Sequence, residues 1–147
     1  MEVTRHFTSS VFVVFDKKVL LCLHRKLEKW LPLGGHIERD ELPQEAAIRE
    51  VAEESGLNVK LISDRNLKSY PDVVELVPPQ CMLLEDITPC HQHIDFVFYG
   101  ISENSNLDPM LVEEHRLKWF SKSEIKADSS IPADVSDRAL DAISQCS

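Results

Sequence analysis

Alternating runs of apolar and polar residues divide the first third of the chain into elements of recognisable type. The β-branched and aromatic run 9–15, the polar turn 16–18 and the apolar run 19–23 predict a β-hairpin. Residues 30–37 then combine a proline with two adjacent glycines, a composition typical of a loop whose backbone approaches another group closely. We therefore expect a hairpin followed by a loop.

A helix is predicted over residues 42–55 by the residues at its two ends. Pro43 suits a first helical turn, while Asp40 and Glu41 complement the positive end of the helix dipole. Gly56 supplies a C-terminal stop. Local signals therefore mark this helix at both ends.

Beyond the helix, the pattern predicts mostly strands. These are residues 58–62, short pieces within 69–89, residues 91–99 ending at Gly100, and residues 116–120. A helical turn is predicted at 123–125. An amphipathic C-terminal helix is predicted by the spacing of Val135, Ala139, Ala142 and Ile143.

Composition narrows the classes of function. A chain of 147 residues predicts a single domain over 1–147, and it contains no apolar run long enough to span a bilayer and no signal-peptide pattern. A net charge of -9 argues against binding a nucleic acid polymer. The cysteines lack C-x-x-C pairing and are expected to be reduced, in the cytoplasm: Cys22, Cys81, Cys90 and Cys146.

The predicted helix concentrates acidic residues. Glu50, Glu53 and Glu54 fall within one narrow arc, and Ala46 in the preceding turn is too small to obstruct a ligand. The opposite side is expected to carry Ile48, Val51, Ala52 and Ser55. Two like charges at this spacing destabilise the helix by a few tenths of a kcal/mol, and a bound cation would make their proximity favourable. The arc therefore predicts a metal site.

Neighbouring residues add to this site. Arg49 is expected to pair with Glu53 or Glu45 and so to orient a carboxylate. Carbonyl oxygens of the Gly34–Gly35 loop complete an oxygen-only ligand set, which favours Mg²⁺ or Mn²⁺ over zinc. Such ions promote attack on a phosphoryl group, so we expect phosphoryl chemistry.

Residues 35–57 read GHIERDELPQEAAIREVAEESGL and match the Nudix box, G-x5-E-x7-R-E-U-x-E-E-x-G-U with U aliphatic, at every defined position. The matching residues are Gly35, Glu41, Arg49, Glu50, Val51, Glu53, Glu54, Gly56 and Leu57. The flanking sequence from about residue 9 to 125 is also similar to the Nudix hydrolase superfamily, which includes MutT. The resemblance implies an α/β fold, an α/β/α sandwich with a mixed β-sheet and a catalytic loop-helix-loop.

The resemblance also implies a role for individual residues. The residues expected to act in catalysis are Glu50, Glu53 and Arg49. The expected metal ligands are Gly34 or Gly35, through a carbonyl, with Glu50, Glu53 and Glu54; Glu41 and Gly56 are expected to support the motif. Glu50 is the preferred general base, and a carboxylate from a later loop, Glu113 or Glu114, competes for that role.

The function implied is metal-dependent hydrolysis of a phosphoanhydride bond in a nucleoside diphosphate linked to another group. Candidate substrates are nucleoside triphosphates, damaged nucleotides, dinucleotides and sugar nucleotides, and a homodimer is possible. Two alternatives are a catalytically silent nucleotide-binding module and a divalent-cation site with a purely structural role.

Outside the box the signals are weaker. Cys90, His91 and His93 lack a fourth ligand at an expected spacing, which argues against zinc. His93 is expected either to border the substrate pocket or to pack ordinarily. Arg25 could bind a substrate phosphate or lie on the surface, and Glu114 is a further candidate for substrate binding.

Overall fold

The computed structural model describes residues 2–146. Ten strands and four helices lie within these residues. In chain order they are β1 (Thr4–Phe15), β2 (Lys18–His24), β3 (Lys29–Leu31), β4 (Leu33–His36), α1 (Pro43–Ser55), β5 (Val59–Leu61), β6 (Ser69–Tyr70), β7 (Val73–Val74), β8 (Cys81–Thr88), β9 (His91–Ser102), α2 (Pro109–His115), β10 (Leu117–Phe120), α3 (Lys122–Ala127) and α4 (Ala133–Gln145).

Eight of the strands form one mixed sheet whose two central members, β1 and β9, run parallel. The last residues of β1 pair with β2, whereas its middle residues, Thr8 to Val11, pair with β4. On the other side, β9 pairs with β8 and, further along, with β5. Strand β4 therefore lies directly beside the middle of β1, and β6 and β7 form a separate hairpin.

Helices cover both faces of this sheet, and each face has its own apolar core. Against α1, the buried set contains Val11, Val13, Leu20, Leu33, Ala47, Val51, Leu57, Phe98 and Leu117. Against α3 and α4, it contains Phe12, Val14, Val19, Leu21, Val97, Tyr99, Phe120, Ile125, Ile131, Val135, Ala139, Ala142 and Ile143. Alternate residues of β1 and β9 supply the two cores because successive strand side chains point to opposite faces.

The predicted hairpin, β5, β10 and the two C-terminal helical segments are confirmed, with ends shifted by a few residues. The hairpin turn places Asp16 and Lys17 at φ of 48° and 60°, as a two-residue turn that follows strand twist requires. The predicted loop over residues 30–37 is wrong, because its residues form β3 and β4 on either side of Pro32.

Two further expectations need correction. Strand β9 continues through Gly100 to Ser102, because β5 pairs with its end. Glu113 and Glu114 lie on helix α2 and not in a loop; this short helix buries none of its residues, so it left no apolar periodicity in the sequence. Within residues 2–146, no helix is both long enough and apolar enough to cross a membrane, and no disulfide joins any of the four cysteines.

Candidate active site

Helix α1 is held at both ends by hydrogen bonds that its local sequence provides, one to a side chain and one to the backbone. Glu45 accepts a hydrogen bond from the N–H of Leu42, 2.8 Å away, at the start of the helix. At its end Gly56 adopts φ of 80° and donates to the carbonyl of Ala52. Because only glycine adopts this left-handed conformation without strain, Gly56 ends the helix as predicted.

The buried face of α1 differs from the expected one. Ile48 and Ala52 are exposed, and the buried residues are Ala46, Ala47, Val51 and Ser55. At about 100° per residue, this buried arc includes the directions of Glu50 and Glu54. These two glutamates therefore face the sheet, and Ala46 is a packing residue, because the helix turns part of its charged side inward.

Strand β4 approaches both carboxylates through its two glycines. The N–H of Gly34 donates to Oε1 of Glu54 at 2.9 Å. A Cβ on Gly34 would lie 2.2 Å from the carbonyl oxygen of Ser9, and a Cβ on Gly35 would lie 2.5 Å from Oε1 of Glu50. Gly35 therefore leaves room for the carboxylate of Glu50, whereas Gly34 lets β4 pair closely with β1 and holds Glu54 through its backbone N–H.

Arg49 links the box residues into one network. Its Nε and Nη2 donate to the two carboxylate oxygens of Glu41, at 2.5 and 2.9 Å. Its Nη1 donates to Glu50 at 2.9 Å and to Glu53 at 3.2 Å. The expected pairing with Glu53 is present, but the alternative with Glu45 is not, because Glu45 is engaged at the helix start.

This network shifts the pKa values of its members. Hydrogen bonds from Arg49 lower the pKa of Glu41, and hydrogen bonds to Glu41 and Glu50 raise the pKa of Arg49. Glu54 behaves differently, since burial and then the charges of Glu50 and Glu53 raise its pKa to about 7. The pocket between α1 and β4 therefore carries negative charge that a cation would stabilise.

The donor set of this pocket fits a hard divalent cation. Glu50 and Glu54 offer carboxylate oxygens beside a strand whose glycines leave room for close approach. Glu53, with 59% of its side chain exposed, lies further out and contacts Arg49. The described residues therefore bring Glu50 and Glu54 to the glycine strand, with Glu53 on the outer rim.

Arg25 and Glu114 contact each other where the end of β2 meets helix α2. Nη2 of Arg25 donates to the main-chain carbonyl of Glu114 at 2.8 Å, which fastens the end of β2 to helix α2. Among the contacts of residues 2–146, no hydrogen bond or ion pair joins either residue to the glutamates of α1. Their expected role in substrate binding therefore stays a prediction.

His93 lies on the face of the sheet opposite α1. It is half-buried among His6, His36 and His91, and its pKa is lowered by burial and by these three neighbouring imidazoles. The chain positions of His6 and His36 gave no signal of this meeting, because strand pairing alone brings them to His93.

Next to the histidines, Asp95 is a buried acidic residue whose hydrogen-bond partners were not predicted from the sequence. It accepts hydrogen bonds from Thr8 at 2.9 Å and from Ser10 at 2.7 Å, while burial raises its pKa. His91, His93 and Asp95 alternate along β9 and so share a face, but their partners on β1 depend on strand register, which sequence spacing does not show.

A cleft of about 420 Å³ opens on the same face, between the sheet and α4. Arg138 within it donates to Sγ of Cys81, and Tyr99 donates to Asp141 at 2.7 Å. Three aspartates of α4 also line it: Asp134, Asp137 and Asp141. None of residues 35–57 lines this cleft, so the carboxylates between α1 and β4 are the better candidate for the chemistry.

Comparison with known proteins shows which family has this architecture. A family model described as the NUDIX domain matches residues 4–139. The crystal structure of a NUDIX-family hydrolase from Clostridium perfringens is 40% identical, with a TM-score of 0.85, and the match covers 99% of this chain and 100% of that one. The MutT protein from Methanosarcina mazei Go1 is 20% identical over 99% of this chain and 96% of its own, with a TM-score of 0.68, a likeness of fold alone.

A sequence relative is longer than this chain. Over 105 residues the chain is 30% identical to the Danio rerio protein named m7GpppN-mRNA hydrolase NUDT17, a match that covers 67% of this chain and 33% of that protein. The aligned part of the chain thus spans about a third of the length of this relative.

A mixed sheet lies between helices, and helix α1 with its glutamates packs against strand β4 with its glycines. This arrangement defines the Nudix class of α/β/α sandwich. With a family model that matches residues 4–139, the chain belongs to the NUDIX domain family. The predicted fold class and class of enzyme, a Nudix pyrophosphohydrolase, are confirmed by these matches.

Proposed function

We propose that this protein hydrolyses a phosphoanhydride bond in a nucleoside diphosphate linked to another group, with Mg²⁺ or Mn²⁺ as cofactor. The observation that carries the proposal is the placement of Glu50 and Glu54 against the backbone of Gly34 and Gly35. Membership in the NUDIX family supports nucleotide-linked phosphoanhydride hydrolysis as the reaction class.

Glu50 and Glu54 are the proposed carboxylate ligands, with Glu53 and a carbonyl of Gly34 or Gly35 completing the set. A divalent cation bound there would neutralise charge on the diphosphate and lower the pKa of the attacking water. The raised pKa of Glu54, near 7, supports this assignment, because a carboxylate destabilised by burial and like charge gains most from a cation.

Glu50 is the proposed general base. A water oxygen attacks phosphorus, its proton passes to the carboxylate of Glu50, and a phosphate group leaves with the electrons of the broken P–O bond. Arg49 holds Glu50 by a 2.9 Å hydrogen bond and is itself held by Glu41, which supports its role as a positioning residue. Glu113 and Glu114 compete as base from exposed positions on α2.

The group attached to the diphosphate defines the substrate panel. It includes intact and damaged nucleoside triphosphates, ADP-ribose, dinucleotides and sugar nucleotides. We add an m7GpppN-type dinucleotide, because the Danio rerio relative is named as an m7GpppN-mRNA hydrolase. A small-molecule partner, a single domain, a cytoplasmic location and a possible homodimer belong to the same proposal.

The test is product release from this panel under saturating Mg²⁺, resolved by chromatography, for Glu50→Gln, Glu54→Gln and the matched control Glu103→Gln. Glu103 is exposed and lies just beyond β9. We expect each site variant to lose at least about 100-fold in kcat and the control to stay within about twofold of the parent.

Other outcomes would contradict the proposal in different ways. Parent-like turnover by both site variants would remove the glutamates from the chemistry. Saturable nucleotide binding by the parent without product would instead indicate a silent binding module. A rise in melting temperature with Mg²⁺, while every substrate stays intact, would indicate a structural cation site.

A further inference from the structure

Four of the six histidines of the chain gather on one face of the sheet. The parallel register of β1 and β9 places His6 opposite His93, and His91 lies two residues earlier on the same face. His36, the last residue of β4, brings its ring centroid to 5.0 Å from that of His93. Three strands thus each deliver at least one imidazole to the same place.

The nitrogen atoms of three of these residues are close enough for one metal ion. Ligand atoms of His6, His91 and His93 all lie within 4.8 Å of one another. Nδ1 of His6 and Nε2 of His91 are 2.7 Å apart. Tetrahedral zinc with Zn–N bonds of about 2.0–2.1 Å separates its ligands by about 3.3 Å, so small side-chain rotations are sufficient.

We propose that His6, His91 and His93 bind a zinc-type transition metal ion, with His36 positioned as a fourth ligand. The site goes beyond the proposed hydrolase function and does not depend on it. The prediction from sequence spacing argued against zinc because no fourth ligand follows His93. That argument fails because the missing imidazoles come from β1 and β4.

The state of His93 supports this inference. Its Nε2 is buried and has no hydrogen-bond partner in the part of the chain that the structure describes. Burying a polar nitrogen without a partner is unfavourable, and a bond to a metal would satisfy it. Burial and the three neighbouring rings also favour its neutral form, which is the form that binds metal.

Nearby charges favour a cation over an anion at this place. Glu85 lies opposite His93 on β8, and Asp95 follows two residues later on the same face. A phosphate or carboxylate ligand would meet these acidic residues, whereas a divalent cation would be attracted to them.

Ligand chemistry separates this site from the glutamates. Imidazole nitrogens prefer zinc, copper and nickel, whereas carboxylates prefer magnesium and manganese. The two sites also lie on opposite faces of β4, because Gly35 meets Glu50 while the next residue, His36, points to the histidines. A metal bound here would tie β1, β9 and β4 together. It would lie one residue along β4 from the carboxylate pocket, our name for Glu50, Glu53 and Glu54 beside that strand.

The experiment measures Zn²⁺ binding to the full chain by calorimetry in buffer that contains excess Mg²⁺. We expect one Zn²⁺ per chain for the parent and a loss of at least about 100-fold in affinity for His6→Gln and His93→Gln. His6 is exposed, so its variant tests the site without disturbing the core. The matched control is His24→Gln, an exposed histidine at the end of β2, which should bind as the parent does.

Two more measurements identify where the metal lies. Co²⁺ in place of zinc should give the visible absorption of a tetrahedral nitrogen site in the parent and in Glu54→Gln, but not in His6→Gln. Zinc should also raise the melting temperature of the parent and not of His6→Gln. Parent-like affinity in both His6→Gln and His93→Gln, or loss of zinc in Glu54→Gln alone, would overturn the proposal.

Discussion

The carboxylate pocket and the histidine cluster lie on opposite faces of β4, and they are assembled in different ways. The carboxylate pocket draws its side chains from one helix and its backbone from one strand, all within residues 34–54. The histidine cluster draws on three strands, from His6 to His93. A short segment can thus carry a site as a motif, whereas a site made by sheet pairing leaves no local pattern.

The largest expected effect is a loss of kcat that leaves the site on the other face of β4 unchanged. In Gly35→Ala the new Cβ would lie 2.5 Å from Oε1 of Glu50, so the carboxylate must move. A displacement of about 1 Å at a catalytic group lowers kcat by about 100-fold, and zinc binding should persist. Steady-state kinetics and calorimetry measure the two effects.

Gly100→Ala is the matched control for this substitution, because Gly100 also lies in a strand and its Cβ would meet Val11 at 3.3 Å, away from Glu50. It should lower stability with little change in kcat. Equal kinetic losses in both variants would mean that Gly35 acts only through packing.

A smaller effect tests whether positioning by Arg49 matters as much as the ligands themselves. Lysine cannot reproduce the paired hydrogen bonds to Glu41 and the third to Glu50. Arg49→Lys should therefore lower kcat on the order of tenfold, with KM little changed. A loss confined to KM would instead assign Arg49 to substrate binding.

The pH dependence of stability probes the carboxylate pocket without substrate. Folding raises the pKa of Glu54 to about 7 from an ordinary 4.5, so the folded state holds its proton more tightly. Its contribution to stability is therefore favourable at low pH, decreases between pH 4.5 and about 7, and stays low above that. In EDTA, Glu54→Gln should melt at a higher temperature than the parent at pH 8.

The same comparison at pH 4.5 should give a much smaller difference in melting temperature, because the carboxyl group is then protonated in the folded state and partly protonated in the unfolded state. Mg²⁺ should reverse the order at pH 8 by stabilising only the parent. Scanning calorimetry at the two pH values decides the matter, and a difference that does not change with pH would show that Glu54 stays ionised.

The smallest effect should leave both sites in place. Gly56 adopts φ of 80°, where alanine is strained, so Gly56→Ala should lower the free energy of unfolding by about 1 kcal/mol. Urea denaturation measures the loss. Zinc affinity and KM should not change, and a large change in either would mean that the end of α1 positions more than the helix.

Helix α1 shows which features of the fold could be predicted from the sequence and which could not. The bounds of α1, its start at Pro43 and its end at Gly56 were predictable, because each depends on backbone preferences of one or two residues. Which side of α1 is buried was not, since Glu50 and Glu54 turn toward the sheet while Ile48 faces solvent. The spacing of apolar residues predicts the wrong buried face of a helix when charged groups of a site point toward the core.

The amino-acid sequence by itself determined the Nudix box, helix α1, the first hairpin and the acidic character of the pocket, because all of these depend on spacings within one or two turns of chain. Only the tertiary structure decided that Gly34 and Gly35 form a strand and that four histidines meet. Both features depend on which strands pair and in what register, and that is settled by the packing of the whole sheet.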